Sequence, residues 1–521
     1  MQPTEKRILW VDDEVELLEP HLLFLRQRGY RVDTTTNGDD ALELIRRRPY
    51  DLVLLDEQMP GRRGLEVLGL LREEEPHARV VMVTKSEEDM TLEEAIGRRV
   101  DDYLVKPASP RQVLSVVTRL LEGSQLRQQR AAQDFATRFL ELSRAKDEAR
   151  SWADFFSVYS ELVDWDLRLE EAGEQGLLDS VRSILVDLRR EFGDYVRDAY
   201  PRWVSASAGD GVDRPPLSTD VVARWLVPRL GDGSTLFVVI DCLRLDQWRA
   251  LRPMLAELFD VDEDLYASIL PTATPYARNA LFSGRFPDEI AAINPEWWEV
   301  EEGSLNSFED ELFRQHLREL VGREVPVHYE KVFSDDGADD LVARVRNAFR
   351  GHGVVSLVFN FVDLLTHGRS ESTLLMEVAR DEPALRALTR QWFERSAVLR
   401  ILKDAAAAGI QVVLTSDHGS ILCERPVTVF ARRDATSNLR YKFGQDLRAE
   451  QPAAVISVKD ESQLRFPPGR LATNYLLALE DYFFVYPTKL REYQARYRGS
   501  FLHGGATPEE MVLPVAVLRP R

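Results

Sequence analysis

The run Val412-Val413-Leu414-Thr415-Ser416-Asp417-His418-Gly419 constrains the fold more than any other stretch of the chain. An apolar segment without polar alternation is a strand buried on both faces, as in a parallel sheet covered by helices. Side chains that follow such a strand project into the crevice where α/β folds bind ligands. Asp417 and His418 stand at that place, and an adjacent carboxylate and imidazole make a natural half of a metal site. The pattern recurs: Asp241 follows Leu236-Phe237-Val238-Val239-Ile240, Asp363 and His367 follow Leu357-Val358-Phe359-Asn360-Phe361, and His503 precedes Gly504-Gly505. Three of the eight histidines fall at these positions.

With 521 residues and 44% hydrophobic side chains, the chain has material for several domains with real cores. No apolar run approaches the roughly 18 residues that span a bilayer. The opening Met1-Gln2-Pro3-Thr4-Glu5-Lys6-Arg7 lacks the apolar core of a signal peptide, so a cytoplasmic location is expected. Two cysteines, Cys242 and Cys423, cannot build a disulfide framework or a thiolate zinc site. A net charge of −20 argues against binding nucleic acid through bulk charge, while leaving room for a locally basic site.

Residues 1–122 alternate strand and helix. Ile8–Val11, Arg31–Thr35, Leu52–Leu55, Val80–Val83 and Tyr103–Val105 read as strands, and the first helix is expected from about Glu14 to Arg28, ended by Gly29. This is a βα repeat, hence a parallel sheet. Over 123–204 no strand is evident. Phe135, Phe139, Leu142, Trp152, Phe155, Phe156, Tyr159, Leu162 and Trp165 recur at helical spacing and predict a helical bundle. Ser205-Ala206-Ser207-Ala208-Gly209-Asp210-Gly211 and Pro215-Pro216 read as a linker. Beyond it, over 205–521, the alternation resumes as one large α/β domain.

Asp12 and Asp13 end the first strand, and Asp56 ends Leu52–Leu55. A parallel sheet gathers all three at one edge, where crowded carboxylates favour a hard divalent cation. Thr84 ends a later strand, and Lys106 can reach the same edge. The pieces Val11-Asp12-Asp13-Glu14, Leu55-Asp56-Glu57-Gln58-Met59-Pro60-Gly61, Val83-Thr84-Lys85 and Lys106-Pro107 closely resemble a two-component receiver domain. That resemblance implies a flavodoxin-like fold, phosphorylation of Asp56 by a cognate sensor histidine kinase, and Mg²⁺ held by Asp13, Asp56 and the carbonyl of Gln58. Thr84 becomes the switch hydroxyl and Tyr103 the switch aromatic.

In the last domain six side chains read as metal ligands: Asp241, Asp363, His367, Asp417, His418 and His503. Asp363 and His367 have the spacing of one helix face. Mixed carboxylate and imidazole ligands suit Zn²⁺ or Mn²⁺, and six of them exceed what one catalytic zinc takes. A nucleophile is expected in Leu270-Pro271-Thr272-Ala273-Thr274-Pro275-Tyr276-Ala277-Arg278-Asn279, where Thr274 before Pro275 reads as an N-cap. Asp246 reads either as a helix cap or as part of the chemistry. His21, His77, His316, His328 and His352 read as residues without chemistry. The stretch from Arg425 to Arg448 carries Arg432, Arg433, Arg440 and Lys442 against Asp434 and Asp446, with Tyr441 and Phe443. It reads as a solvated loop, or as a substrate-binding groove in which Tyr441 stacks and Lys442 meets phosphate.

The ligand set resembles the alkaline phosphatase superfamily, in particular its PglZ branch. The resemblance implies one zinc on Asp363, His367 and His503 and a second on Asp241, Asp417 and His418. It implies a threonine nucleophile ten residues before a helix-ending glycine, which from Gly284 is Thr274, with Thr272 behind it. It also implies a phosphate-binding role for Asn294. Receiver, helical spacer and PglZ-type hydrolase together resemble the PorX-type response regulators. This implies a zinc phosphodiesterase acting on cyclic and linear oligonucleotides, regulation of type IX secretion, a phosphorylation-dependent homodimer, and contact with a sigma factor or a membrane component of the secretion system. The rival expectation is a phosphorylation-controlled scaffold whose metals serve structure.

Overall fold

The computed structural model describes residues 6–74, 78–85, 100–206, 211–231, 233–298, 306–333, 337–369, 373–431, 438–466, 474–487 and 490–521. The chain forms two compact units, Met1–Asp134 with Ala172–Glu174, and Phe135–Glu171 with Gln175–Arg521. Among the described residues no helix is long and apolar enough to cross a membrane.

The first unit holds a parallel sheet of β1 (Arg7–Val11), β2 (Arg31–Thr35), β3 (Leu52–Asp56), β4 (Val80–Thr84) and β5 (Asp102–Val105), in the order β2-β1-β3-β4-β5. This is the flavodoxin-like order. Side chains alternate between two covered faces. Ile8, Trp10, Leu52, Leu54 and Val81 pack with Leu22 and Leu25 of α1 (Glu19–Gln27) and Val113 and Val117 of α4 (Pro110–Leu121). Leu9, Val11, Val53, Leu55 and Met82 pack with α2 (Gly38–Arg47) and α3 (Gly64–Glu74). The first α-helix starts at Glu19, later than expected, and a 3₁₀ turn covers Val15–Leu18. Pro20 explains this, because a residue without an N–H is tolerated only in the first turn.

Three helices come next, α5 (Gly123–Glu148), α6 (Trp152–Ala172) and α7 (Gln175–Ser205), and the second unit takes in α5 from Phe135, α6 as far as Glu171 and all of α7. The aromatics face inward at the expected spacing. Phe155 meets Phe192 with ring centroids 5.8 Å apart, and Phe135 meets Trp165 at 5.2 Å. Such edge-on pairs add to the burial that holds helices together.

The same unit contains a six-stranded sheet of β6 (Thr235–Ile240), β7 (Phe259–Ala267), β8 (Val327–Val332), β9 (Val354–Phe359), β10 (Val412–Thr415) and β11 (Val512–Pro520), ordered β7-β11-β10-β6-β9-β8. β8, β9, β6 and β10 run parallel, while β11 is antiparallel to both β10 and β7. Thr415 lies beside Val239, and Ile240 beside Phe359. Asp241, Asn360 and Asp417 therefore leave the sheet at one edge. Further along, Ile421–Cys423 pairs with Ser500–Leu502, which returns the chain to that edge just before His503.

Candidate functional site

Asp241, Asp363, His367, Asp417, His418 and His503 meet at the carboxyl edge of β6, β9 and β10. Asp363 and His367 lie on one face of α12 (Phe361–Arg369), with His367 Nε2 3.4 Å from Asp363 Oδ1. His503 Nε2 is 3.7 Å from the same oxygen. His418 Nε2 lies 3.5 Å from Asp241 Oδ1 and 3.9 Å from Asp417 Oδ2. Ligand atoms of Asp363, His367 and His503 all lie within 4.8 Å of one another, and so do those of Asp241, Asp363 and His418. Asp363 thus belongs to both groups, a sharing that the split into two sets of three did not contain.

Each carboxylate is anchored or aimed so that one oxygen faces the centre. Asp241 Oδ2 accepts from Asn360 Nδ2 at 2.9 Å and from Arg278. Asp417 Oδ1 accepts from the backbone N–H groups of Cys242 (3.3 Å) and His418 (3.0 Å). Cys242 adopts φ of +64° to present that N–H, a left-handed conformation that strains any residue with a Cβ. The facing oxygens, Asp241 Oδ1, Asp363 Oδ1 and Asp417 Oδ2, are buried with no hydrogen-bond donor among the described residues. A buried acceptor left unpaired costs roughly 1–3 kcal/mol, more when charged, so three in one cluster fit a bound cation.

The imidazoles are oriented to match. His418 Nδ1 meets the carbonyl of Gly419 at 3.2 Å and His503 Nδ1 that of Thr272 at 3.1 Å. A carbonyl only accepts, so each Nδ1 carries a proton and each Nε2 turns toward the carboxylates, the usual support for a metal-binding histidine. Burial, reinforced by the charge of Asp417, raises the Asp241 carboxyl well above the ordinary range. Burial also acts to raise Asp363, but His367, 3.4 Å away, and the nearby His503 and His418 outweigh that and hold it below. Burial, then His418 and His367, push His503 well down, leaving its ring neutral.

Thr274 begins α9 (Thr274–Ser283) as the first helical residue, and the N-cap is Ala273 rather than Thr274 as the sequence predicts. The shift matters, because an N-cap hydroxyl is occupied by the helix backbone whereas Thr274 Oγ1 faces His418 Nε2 at 2.9 Å. Thr272 is fully buried and engaged, donating to the carbonyl of Gly505 at 2.8 Å and accepting from Gly504 N–H at 3.1 Å. Asn294 closes α10 (Pro287–Ile293), and its side chain bonds to no described residue. The asparagines beside Thr274 are Asn279 and Asn306. Asn306 Nδ2 donates to the carbonyl of Thr274 at 3.0 Å and to Asn279 Oδ1 at 3.3 Å.

Arg278, one turn beyond Thr274, went unassigned in the sequence. It is 3% exposed and bridges Asp241 to Glu309 of α11 (Glu309–Val321). A cation four residues after Thr274, on the same helix, was the available signal. Asp246 is neither a metal ligand nor a cap. It lies in the first turn of α8 (Leu245–Leu251); burial acts to raise its carboxyl, but Arg244 and Arg386 of α13 (Glu382–Arg395) pair with it and hold it at about 2. His316 packs under Gly284 with Nδ1 3.0 Å from the carbonyl of Phe282.

The basic stretch is a correction. Tyr441 and Lys442 are 2% and 1% exposed, on the strand Tyr441–Gly444, and Arg440 is buried against Glu510. No ring face at Tyr441 is open to stack a base, and Lys442 lies over the Tyr486 ring at 4.7 Å. Arg432, Arg433 and Asp434, like His77, lie outside the described residues.

In the receiver, ligand atoms of Asp12, Asp13 and Asp56 lie within 4.8 Å of one another. Lys106 Nζ is 2.8 Å from Asp56 Oδ2 and 2.9 Å from Asp12 Oδ2. Burial raises the Asp56 carboxyl against the pull of Lys106. Gln58 follows on the exposed loop, its N–H 3.5 Å from Asp56 Oδ1. Thr84 is buried at the end of β4, and Tyr103 is 51% exposed.

Three family models match the chain: a response regulator receiver domain over residues 8–118, a PorX response regulator linker domain over 125–204, and a BREX system PglZ alkaline phosphatase-like domain over 221–518. The transcriptional regulatory protein ResD of Bacillus subtilis (strain 168) is 38% identical over 120 residues, 23% of this chain and 50% of ResD. The alginate biosynthesis transcriptional regulatory protein AlgB of Pseudomonas putida is 38% identical over 125 residues, 24% of this chain and 28% of AlgB. The chain therefore spans half or less of the length of these curated relatives. Among solved structures, the response regulator TrrA of Thermotoga maritima with Mg²⁺ and BeF is 36% identical over 22% of this chain and 99% of its own, TM-score 0.21. A CheY-like receiver from Methanospirillum hungatei JF-1 is 28% identical over 23% and 96%, TM-score 0.22. Since the PglZ match takes in more than half of the sequence, around the edge where the carboxylates and imidazoles converge, the chain belongs to the PglZ family of alkaline phosphatase-like domains, joined to a response-regulator receiver and a PorX linker domain.

Proposed function

We propose that this chain is a response regulator whose output is metal-dependent hydrolysis of phosphodiesters, with cyclic and linear oligonucleotides as the substrate class and type IX secretion as the regulated process. The observation that carries the chemistry is the Thr274 hydroxyl, 2.9 Å from His418 Nε2, beside three buried carboxylate oxygens that take no hydrogen bond among the described residues. The donor set fits two divalent ions of the zinc class, one on Asp363, His367 and His503, the other on Asp241, Asp417 and His418. When bound, they would supply Lewis acidity toward phosphoryl oxygens.

The residues supply the rest. Thr274 Oγ1 is the attacking atom, bonding to phosphorus as the ester oxygen leaves, and water then frees the phosphoryl group from the threonine. His418 Nε2 stands 2.9 Å from the hydroxyl, so a metal held by that nitrogen would lie within reach of Thr274. The positive end of the helix dipole, where Thr274 begins α9, favours the anionic phosphate. Arg278 holds Asp241 in place from behind. At the other end, Lys106 steadies Asp56 for phosphorylation by a sensor histidine kinase, and a sigma factor or secretion component is the downstream partner.

The test is a panel of chromogenic mono- and diesters and cyclic oligonucleotides on the zinc-loaded chain. Turnover of diesters that disappears with chelation and returns with zinc supports the reading. No turnover of any ester at any zinc level overturns it.

A further inference from the structure

The short helix α14 (Pro508–Met511) touches the two loops that carry His418 and His503. Gly419 N–H donates to the carbonyl of Glu510 at 3.0 Å, tying the Asp417-His418 loop to the helix. The approach is so close that a Cβ on Gly419 would sit 1.9 Å from the carbonyl oxygen of Glu509. On the other side, Glu510 Oε1 accepts from Gly505 N–H at 2.8 Å, tying down the loop that begins with His503. Any displacement of α14 moves both imidazoles.

The Glu509 side chain points away from the centre, to the helical segment. Arg189, midway along α7, donates from Nε to Glu509 Oε1 at 2.7 Å. The carboxylate is 2% exposed and the guanidinium 13%. Among the described residues Arg189 alone hydrogen-bonds this carboxylate, since Glu509 Oε2 has no partner. The pair sits on the wall of a cavity of about 200 Å³, where Asp246 joins Arg244 and Arg386. Arg244 also belongs to the loop that follows Asp241.

We infer that Arg189 is a positioning residue for the metal centre: through Glu509 and α14 the helical segment sets where His418 and His503 stand. The helical segment is then a working part of the hydrolase. This rests on the metal-centre reading above. A guanidinium that held Glu509 only for stability would leave metal affinity untouched, whereas one that positions α14 governs it, because supports behind metal ligands alter affinity by roughly 10–100-fold.

The experiment uses the full chain and zinc alone, with affinity read by chelator competition and turnover by bis(p-nitrophenyl) phosphate. Arg189→Met should weaken zinc about 10-fold and lower kcat, with KM within about twofold. Arg189→Lys, which keeps the charge, should restore most of both. Arg189→Met combined with Glu509→Met removes both buried charges. It should recover the melting temperature without recovering zinc affinity, and it decides the matter if the single variant fails to fold. Wild-type zinc affinity in either Met variant overturns the inference. If the wild-type chain cleaves no ester while the affinities fall as stated, the hydrolase reading fails and the positioning role stands.

Discussion

Thr272 and Thr274 flank one alanine, yet their hydroxyls do unlike things. Thr274→Val keeps shape and removes the hydroxyl proposed to attack, so turnover should fall by roughly 10⁴-fold or more while zinc content stays the same. Thr272→Val removes two hydrogen bonds and strands the Gly504 N–H, so it should lower stability by about 1–3 kcal/mol. Steady-state kinetics and denaturant melts on the two variants separate the roles, and full activity in Thr274→Val would move the nucleophile. Lys442 gives a second residue-scale expectation. Burial lowers its ammonium from 10.5 to about 8. Between those values the unfolded chain binds more protons than the folded one, so stability rises with pH across the window and the penalty is full below it. Lys442→Met should therefore stabilise the chain by about 1–3 kcal/mol at pH 7, a gain that fades as pH climbs through about 8 to 10.5. Urea midpoints at pH 7 and above pH 10 measure it, and an equal gain at both would show that charge is not the cause.

At the scale of elements, the site depends on parallel register. β6, β9 and β10 end together, so Asp241, Asn360 and Asp417 emerge side by side, and α12 adds Asp363 and His367. Two zinc ions per chain are expected. Asp417→Ala removes an oxygen that faces His418, so metal analysis of that variant should find about one ion, with turnover abolished. Retention of both ions would take Asp417 out of the ligand set. The boundaries of these strands were legible in the sequence, because an unbroken apolar run that ends in Asp has few other meanings. The first receiver helix was less so. The apolar spacing runs straight through Val15–Leu18, and only the rule for Pro20 places the α-helix start at Glu19.

For the whole molecule, the expected behaviour is switching. A phosphoryl group on Asp56 adds charge beside Asp12 and Asp13, and Lys106 already stands 2.8 Å away to compensate it. Thr84 is then drawn toward the phosphoryl group, and Tyr103, now 51% exposed, can turn inward. That changes the receiver surface around β5 and α4. Beryllofluoride with Mg²⁺ should shift monomer toward dimer, and Asp56→Ala should block the shift. Light scattering with and without the mimic reads this directly. An unchanged mass up to high micromolar concentration would rule out dimerisation as the switch.

The sequence by itself determined the architecture and the chemical vocabulary. Receiver acids, helical aromatics and strand-end Asp and His residues are local patterns, set by side-chain periodicity and by what may follow a buried strand. The tertiary structure decided which of these residues share a space. His503 reaches His418 only because Ile421–Cys423 pairs with Ser500–Leu502, a contact between distant segments that no local period encodes. Asp363 joins both ligand groups, and Arg278 stands behind Asp241, for the same reason. Burial was likewise hidden. Tyr441 and Lys442 read as a groove because an aromatic beside a cation looks alike in a loop and in a packed strand. What separates the two cases is the neighbouring surface, and only the folded chain supplies it.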